Sequence, residues 1–346
     1  MTAIFFISFI VIIVGLLVLD LGVFEKENKV VSMKRAFVST AIWVTLSLIF
    51  CIFLRFHGEK VHGVSTMEDL NQIAQQYHGK TYPRTMSYEQ AVEKYRSQMS
   101  IEYITGYLIE YSLSIDNIFV MILIFVSFTI EQKYYKEVLM WGVIGAIVMR
   151  FLFIFLASAL IQKYEWILYI FGAFLIYAGI KMFVQRNKEE KVETKDNPVV
   201  KLISRFIPLD HSEENGKFFI RKNGKLFITI LFMCLLVIEV TDLLFAVDSI
   251  PAIFSVTKDP FVVFFSNIFA VLGLRSLFFL VSGVMNMFRF LKIGLAVLLS
   301  FIGVKMLFAE PLERIGFENI HSLIIIISII AVSILTSVLI PQKTTK

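Results

Sequence analysis

Cysteine is scarce in this chain: its 346 residues include two, Cys51 and Cys234. Both fall inside apolar segments, with no CxxC motif and no framework for a disulfide set, so chemistry through thiols is unsupported. A GxxxxGK[ST] phosphate-binding loop is also missing, which removes ATP as a direct energy source. Without a catalytic thiol pair or a recognisable cofactor motif, the chain reads as something other than an enzyme, with no permanently bound cofactor. The first apolar run has neither a positively charged leader nor an A-x-A-like cleavage site. Lys26, Lys29, Lys34 and Arg35 follow it rather than precede it, so it is expected to stay uncleaved with the N-terminus outside.

Apolar residues dominate what is present. Hydrophobic side chains make up 57% of the sequence and the mean hydropathy is +0.77, too apolar for a soluble protein of this length. The expected fold is an all-α polytopic membrane protein. Runs of about 20 apolar residues, enough to cross roughly 30 Å of hydrocarbon, occur near 3–24, 36–56, 103–129, 137–160, 164–184, 226–257, 261–284, 290–309 and 320–340. Alternating these nine spans from an outside N-terminus places 21 Lys and Arg in the inward loops and C-terminus and 8 in the outward loops, as the positive-inside rule requires. The net charge of +5 then reflects topology, and nucleic-acid binding is not indicated.

The chain contains an internal repeat of three spans. Glu110 and Asp116-Asn117-Ile118 match Asp242 and Asp248-Ser249-Ile250 at one constant offset. Arg150 and Arg275 mark the second span of each unit, and Gly179-Ile-Lys181-Met182 matches Gly303-Val-Lys305-Met306 at the end of the third. Units with an odd number of helices and no intervening span enter the membrane from opposite sides, an inverted arrangement that commonly frames a substrate site near the midplane. The expected organisation is two N-terminal spans (1–56), an outer polar loop (57–102), the first repeat (103–184), a basic inward linker (185–225), the second repeat (226–309), and a last span with its tail (310–346). Thr66 and Ser87 open capping-box patterns, predicting two short surface helices in the outer loop, and Asn223-Gly224 predicts a hairpin turn in the linker.

Carboxylates in the membrane are costly and seldom passive. Glu110, Asp116, Asn117, Glu239, Asp242, Asp248 and Ser249 offer oxygen ligands that suit hard divalent cations such as Mg2+, Ca2+ and Mn2+, with alkali cations and protons also open. On one ideal helix, Glu110 and Asp116 stand about 120° apart and roughly 9 Å along the axis, so no single helix closes them on one ion. Glu239 and Asp242 do share a face. Pro251 predicts a kink that frees a carbonyl beside Asp248. The bland alternative is that these acids bond to neighbouring hydroxyls or pair with arginines as structural locks. Arg150 and Arg275 themselves read as structural charges that tether or neutralise carboxylates. Lys181 and Lys305 read as snorkelling side chains, and Asp20 divides between an interfacial charge and a path-lining ligand. His57, His62 and His78 lie in the outer loop at a spacing unlike a known metal site.

Five ordered stretches carry a family resemblance: Leu19-Asp20-Leu-Gly-Val-Phe, Gly106-Tyr-Leu-Ile-Glu110, Trp166-Ile-Leu-Tyr-Ile-Phe-Gly-Ala-Phe174, Phe245-Ala-Val-Asp248-Ser-Ile-Pro-Ala252 and Asn267-Ile-Phe-Ala-Val-Leu-Gly-Leu-Arg275. The chain resembles the TerC/Alx family of bacterial membrane proteins, on its Alx branch, and is similar to the LysE-type exporters. The resemblance implies location in the bacterial cytoplasmic (inner) membrane and export of Mn2+ from the cytoplasm, with Glu110, Asp116, Asn117, Glu239, Asp242, Asp248 and Ser249 at the family's acidic motif positions. It also implies possible partners in the secretion machinery, through metal loading of exported enzymes. The function expected is therefore a secondary transporter exchanging Mn2+ for protons in the bilayer. The alternatives are a membrane scaffold for loading or assembling exported proteins, or a component of tellurite or redox stress resistance.

Overall fold

The computed structural model describes residues 2–23, 31–83, 85–164, 166–185, 209–210, 216–222, 225–284 and 290–339. Twelve α-helices account for most of them: α1 (Thr2–Val23), α2 (Met33–His57), α3 (Glu59–His62), α4 (Met67–His78), α5 (Tyr88–Ser127), α6 (Tyr135–Lys163), α7 (Ile167–Gln185), α8 (Ile230–Phe254), α9 (Pro260–Val284), α10 (Leu291–Leu307), α11 (Ala309–Arg314) and α12 (Asn319–Leu339). Seven of these are long and apolar enough to cross a membrane, namely α2, α5, α6 (with the 3-10 turn that leads into it), α7, α8, α9 and α12. The other two expected spans correspond to shorter apolar stretches, Phe5–Val18 in α1 and Ile293–Leu307 in α10. The chain is a multi-pass α-helical membrane protein.

Local chemistry sets the helix starts. Both predicted capping boxes form: the Thr66 and Ser87 side chains accept from the Asp69 and Gln90 amides, and the side chains of Asp69 and Gln90 accept in return from the cap amides. The expectation of two short surface helices holds only for the first. Ser87 opens α5, a single helix of 40 residues and so about 60 Å long, twice the hydrocarbon thickness of roughly 30 Å. Its first turns project beyond the span, and Leu70, Ala74 and Tyr77 of α4 bury their faces beside that projection. Arg96 of α5 ties down α3 through Glu59 at 2.6 Å. This end of the bundle is called the loop end below.

A second correction concerns Pro251. The helix is not interrupted there: α8 runs from Ile230 to Phe254 with the proline inside it, and because Pro251 has no N–H to donate, the Val247 carbonyl one turn back is left without its helical partner. At the opposite end, strand β2 (Phe219–Lys222) pairs antiparallel with β3 (Lys225–Thr229), with Lys222 opposite Lys225, and β1 (Leu209–Asp210) adds parallel to β3. That register leaves two residues to turn the hairpin. They are the predicted Asn223 and Gly224, which lie outside the described residues, as does most of the inward linker. Thr229 ends β3 and caps α8 by accepting from the Phe232 amide.

Packing centres on α9. Within its apolar window 89% is buried, against 22% for α2 and 28% for α6. Phe6 and Phe9 of α1 meet Phe264 of α9, and Phe50 of α2 meets Phe265 and Phe269, so aromatic edges and faces fasten the N-terminal helices to the centre. The remaining helices pack reciprocally, α5 against α9 and α6 against α8, while α7 and α10 form the most extensive helix pair. There the backbones touch. A Cβ added at Gly303 would stand 2.6 Å from the Gly172 carbonyl oxygen, and one at Gly172 would stand 3.1 Å from the Gly303 carbonyl oxygen, the close approach that small residues permit between membrane helices.

Gly303→Leu is expected to separate α7 from α10 and lower the thermal midpoint of the detergent-solubilised protein, at a cost of about 1–3 kcal/mol for overpacking. Gly15→Leu, where an added Cβ meets nothing within 4 Å, should leave the midpoint unchanged in the same fluorescence melt.

Candidate functional site

Four helices each send one polar side chain to a common point in the bundle. The α6 residue Arg150 is fully buried. Its Nη1 donates to Glu110 Oε1 of α5 and, at 3.0 Å, to Asn267 Oδ1 of α9. Its Nε and Nη2 donate to the two carboxylate oxygens of Asp242 on α8, at 3.3 and 3.0 Å. Asn267 closes the ring by donating from Nδ2 to Glu110 Oε2 at 3.1 Å. Glu110, Arg150 and Asn267 have no exposed surface and Asp242 has 3%. The planar guanidinium fork grips Asp242 with two parallel hydrogen bonds, the strong form of this contact. In a buried medium such charges persist only when paired and hydrogen-bonded, and here every carboxylate oxygen of Glu110 and Asp242 has a partner.

Glu239 lies three residues before Asp242 on the same helix face, half-buried. It has no ion-pair partner among the described residues. Its carboxylate rests against Gly145 of α6, where even an added Cβ would overlap it. Thr241 turns away from the centre, donating to the Val237 carbonyl of its own helix at 2.7 Å.

The helical positions of Asp116 and Asp248 are defined, but their side chains lie outside the described part of the structure, as does the Asp20 side chain. Asn319 of α12 supplies a common reference for depth, since its amide donates both to Glu102 on α5 and to the Val256 carbonyl just past α8. The N-terminal part of α5 and the C-terminal end of α8 therefore lie together, and the helices run antiparallel. Counting 1.5 Å per residue from there puts Glu110 and Asp248 at one depth, about 12 Å in, and Asp116 and Asp242 at a second, about 21 Å in. Next to the aspartates in sequence, Asn117 Nδ2 and Ser249 Oγ are buried polar atoms with no hydrogen-bond partner among the described residues. Arg275 is half-buried on α9, eight residues beyond Asn267.

No group of three or more His, Cys, Asp or Glu side chains with metal-holding geometry occurs among the described residues, which do not include the Asp116 and Asp248 side chains. Asn267 was not assigned a role from sequence, although it is a lone amide within an apolar run, a signal available to a reading that asks how a buried arginine is satisfied. Of the loop histidines, His62 and His78 meet carboxylates, Asp259 at 2.7 Å and Glu102 at 3.3 Å.

The fold and this centre define a multi-pass helical membrane protein with an internal charge network at mid-depth. Residues 95–345 match the integral membrane protein TerC family, and the chain belongs to that family. It is 40% identical over 304 residues to the protein of Escherichia coli (strain K12) named "Putative membrane-bound redox modulator Alx", covering 88% of this chain and 85% of that one. It is 40% identical over 299 residues to the uncharacterized membrane protein STKORF319 of Myxococcus xanthus, covering 86% and 82%, and 36% identical over 333 residues to an uncharacterized membrane protein of Rickettsia bellii, covering 96% of each. No solved structure matches the chain.

Removing the guanidinium alone, in Arg150→Leu, leaves two buried carboxylates unpaired and is expected to cost about 3–5 kcal/mol. Adding Glu110→Gln and Asp242→Asn to Arg150→Leu should recover most of the lost thermal stability, measured by the melting of the purified proteins side by side.

Proposed function

We propose that this protein is a secondary transporter that exports Mn2+ from the cytoplasm in exchange for protons, across the bacterial inner membrane. The observation that carries the reading is the centre itself: carboxylates from two different helices converge in the membrane on one cation, Arg150. A site that gathers negative charge at that depth and neutralises it with its own side chain is suited to hold a mobile cation by exchange. In this proposal Arg150 is the resident counter-charge of the cation-free state. Asp116 and Asp248 are the central ligands, with Asn117 and Ser249 beside them, and Glu110 and Asp242 join when the guanidinium withdraws. Oxygen donors suit Mn2+ but also Ca2+ and Mg2+; the choice of Mn2+ rests on the family resemblance.

Several features support an inverted repeat as the framework. Glu110 and Asp242, equivalent by the constant offset, bond to the same guanidinium. The packing of α5 on α9 is reciprocated by α6 on α8, and the two third helices, α7 and α10, pair directly. Such a frame permits alternating access by rocking one unit against the other.

The energetics favour coupling. Exporting a divalent cation against an inside-negative potential costs about 2.3 kcal/mol per charge per 100 mV, and inward proton movement is a source that can meet it. Glu239 serves as proton acceptor in this reading, since Arg150 does not claim it.

The test is Mn2+ accumulation in inverted membrane vesicles at matched protein levels. Wild type should accumulate the ion when a proton gradient is imposed, Asp116→Asn and Asp248→Asn should reduce uptake by at least about tenfold, as removal of a ligand second shell alone can do, and Glu239→Gln should abolish the gradient dependence. Uptake absent in wild type would overturn the reading and favour a scaffold role.

A further inference from the structure

Two turns from Glu110 toward the loop end, α5 carries another buried carboxylate, Glu102, with 1% exposure. Its Oε1 accepts from Gln98 Nε2 at 2.9 Å and from Asn319 Nδ2 at 3.4 Å, and stands 3.3 Å from His78 Nδ1 at the end of α4. Its Oε2 is buried without a partner among the described residues, and so is the hydroxyl of Tyr95, whose ring lies edge-on to His78 at 6.2 Å. Gln98 Nε2 also stands 3.0 Å from His78 Nδ1. His78 Nδ1 therefore has a different partner in each protonation state, with only the Gln98 amide turning between them. A protonated Nδ1 donates to Glu102 Oε1. A bare Nδ1 accepts one Gln98 N–H while the other continues to Glu102.

Charges around His78 are balanced toward holding a proton. Burial works against the imidazolium, but the Glu102 carboxylate and, more remotely, Asp259 hold the His78 pKa above its ordinary value, while Lys80 pulls the other way. The further neighbours are paired: Asp259 with His62, and Lys305 of α10 with Asn319 Oδ1 at 3.2 Å.

We propose that Gln98, His78 and Glu102 form a proton-binding station at the loop end that loads the counter-proton for cation export, an inference that rests on the exchange reading above. A proton from water at the loop end binds His78. Nδ1–H then gives its proton to Glu102, converting the ion pair into a neutral imidazole and a neutral carboxylic acid, and Gln98 donates to the vacated Nδ1. Eight residues of helix, about 12 Å, separate Glu102 from Glu110. The station is therefore a loading site and not a ligand of the transported ion.

Purified full-length protein in liposomes separates the two steps. Exchange of labelled for unlabelled Mn2+ at equal concentrations needs no net proton movement, whereas uptake driven by a pH gradient does. Glu102→Gln and His78→Gln are expected to keep the exchange within about twofold of wild type and to lose gradient-driven uptake at least about tenfold, the scale of a general acid–base group. Glu102→Asp keeps a titratable carboxyl and should restore part of that uptake. A merely structural Glu102 would show the opposite order, with the isosteric Gln tolerated and the shorter Asp damaging, and that result would overturn the station. Normal gradient-driven uptake by Glu102→Gln would overturn it too. If wild-type protein exchanged no Mn2+ at all, the transport reading would fail first and the station with it.

Discussion

A positive charge buried in the middle of the bundle constrains everything around it. Arg150 cannot shed its proton and is wholly buried, so the chain must bring acceptors to it from several directions. Glu110, Asp242 and Asn267 do so from α5, α8 and α9. The requirement dictates which faces of four helices point inward and fixes their axial positions relative to one another. A slip of one turn in any of them would strand a charge at a cost of several kcal/mol. Gly145 follows from the same constraint: with α6 and α8 held close enough for Arg150 to reach Asp242, only a residue without a side chain leaves room for Glu239.

The long α5 carries the consequences outward. Its Glu110 belongs to the central network, its Glu102 and Gln98 to the histidine cluster, and its Arg96 to the ion pair with Glu59. These groups sit on one continuous helix, so a displacement of the α3–α4 cap has a direct mechanical route to mid-membrane. The His62–Asp259 pair makes a second tie, since Asp259 directly precedes the central α9. Burial raises the Asp259 pKa, but the neighbouring His62 more than offsets this and leaves it below the usual carboxylate value.

Much of this architecture was legible in the sequence, for identifiable reasons. Hydropathy marks membrane spans because bilayer thickness fixes their length, and capping boxes at Thr66 and Ser87 were visible because they are local. The fate of the Ser87 helix was not, since nothing local distinguishes a surface helix from the outer turns of a spanning one when the two join without a breaker between Met99 and Tyr103. Pro251 announces a lost backbone hydrogen bond but not whether the helix ends there, and α8 continues through it to Phe254. At the centre, the acids and Arg150 stand out as charges in apolar runs, and pairing between them is one of the two readings the sequence offers. Which acids Arg150 selects, and the contribution of Asn267, depend on how α5, α6, α8 and α9 pack, information distributed over many apolar contacts and not stored in any short motif. The histidines failed as a metal motif by spacing because their partners, Glu102 and Asp259, are 24 and 197 residues away from His78 and His62.

The pairing around Arg150 also limits what any transport cycle can do here. Protonating Glu110 or Asp242 while the guanidinium remains bound would remove an acceptor from a buried cation, which is costly, so the two acids are poor proton carriers as long as Arg150 stays. A divalent ion, by contrast, can compensate both carboxylates at once, but only if the guanidinium first leaves them for other acceptors. The tighter Arg150 is held, the weaker the apparent affinity for the incoming ion, since an occupant sees only the fraction of protein in which the site is free. On the exchange reading, a network this fully satisfied acts as a gate by competition. Proton traffic on the exchange reading falls to acids outside the network, Glu239 near its centre and Glu102 at its loop end, and this division lets one buried arginine guard the site without also blocking the coupling ion.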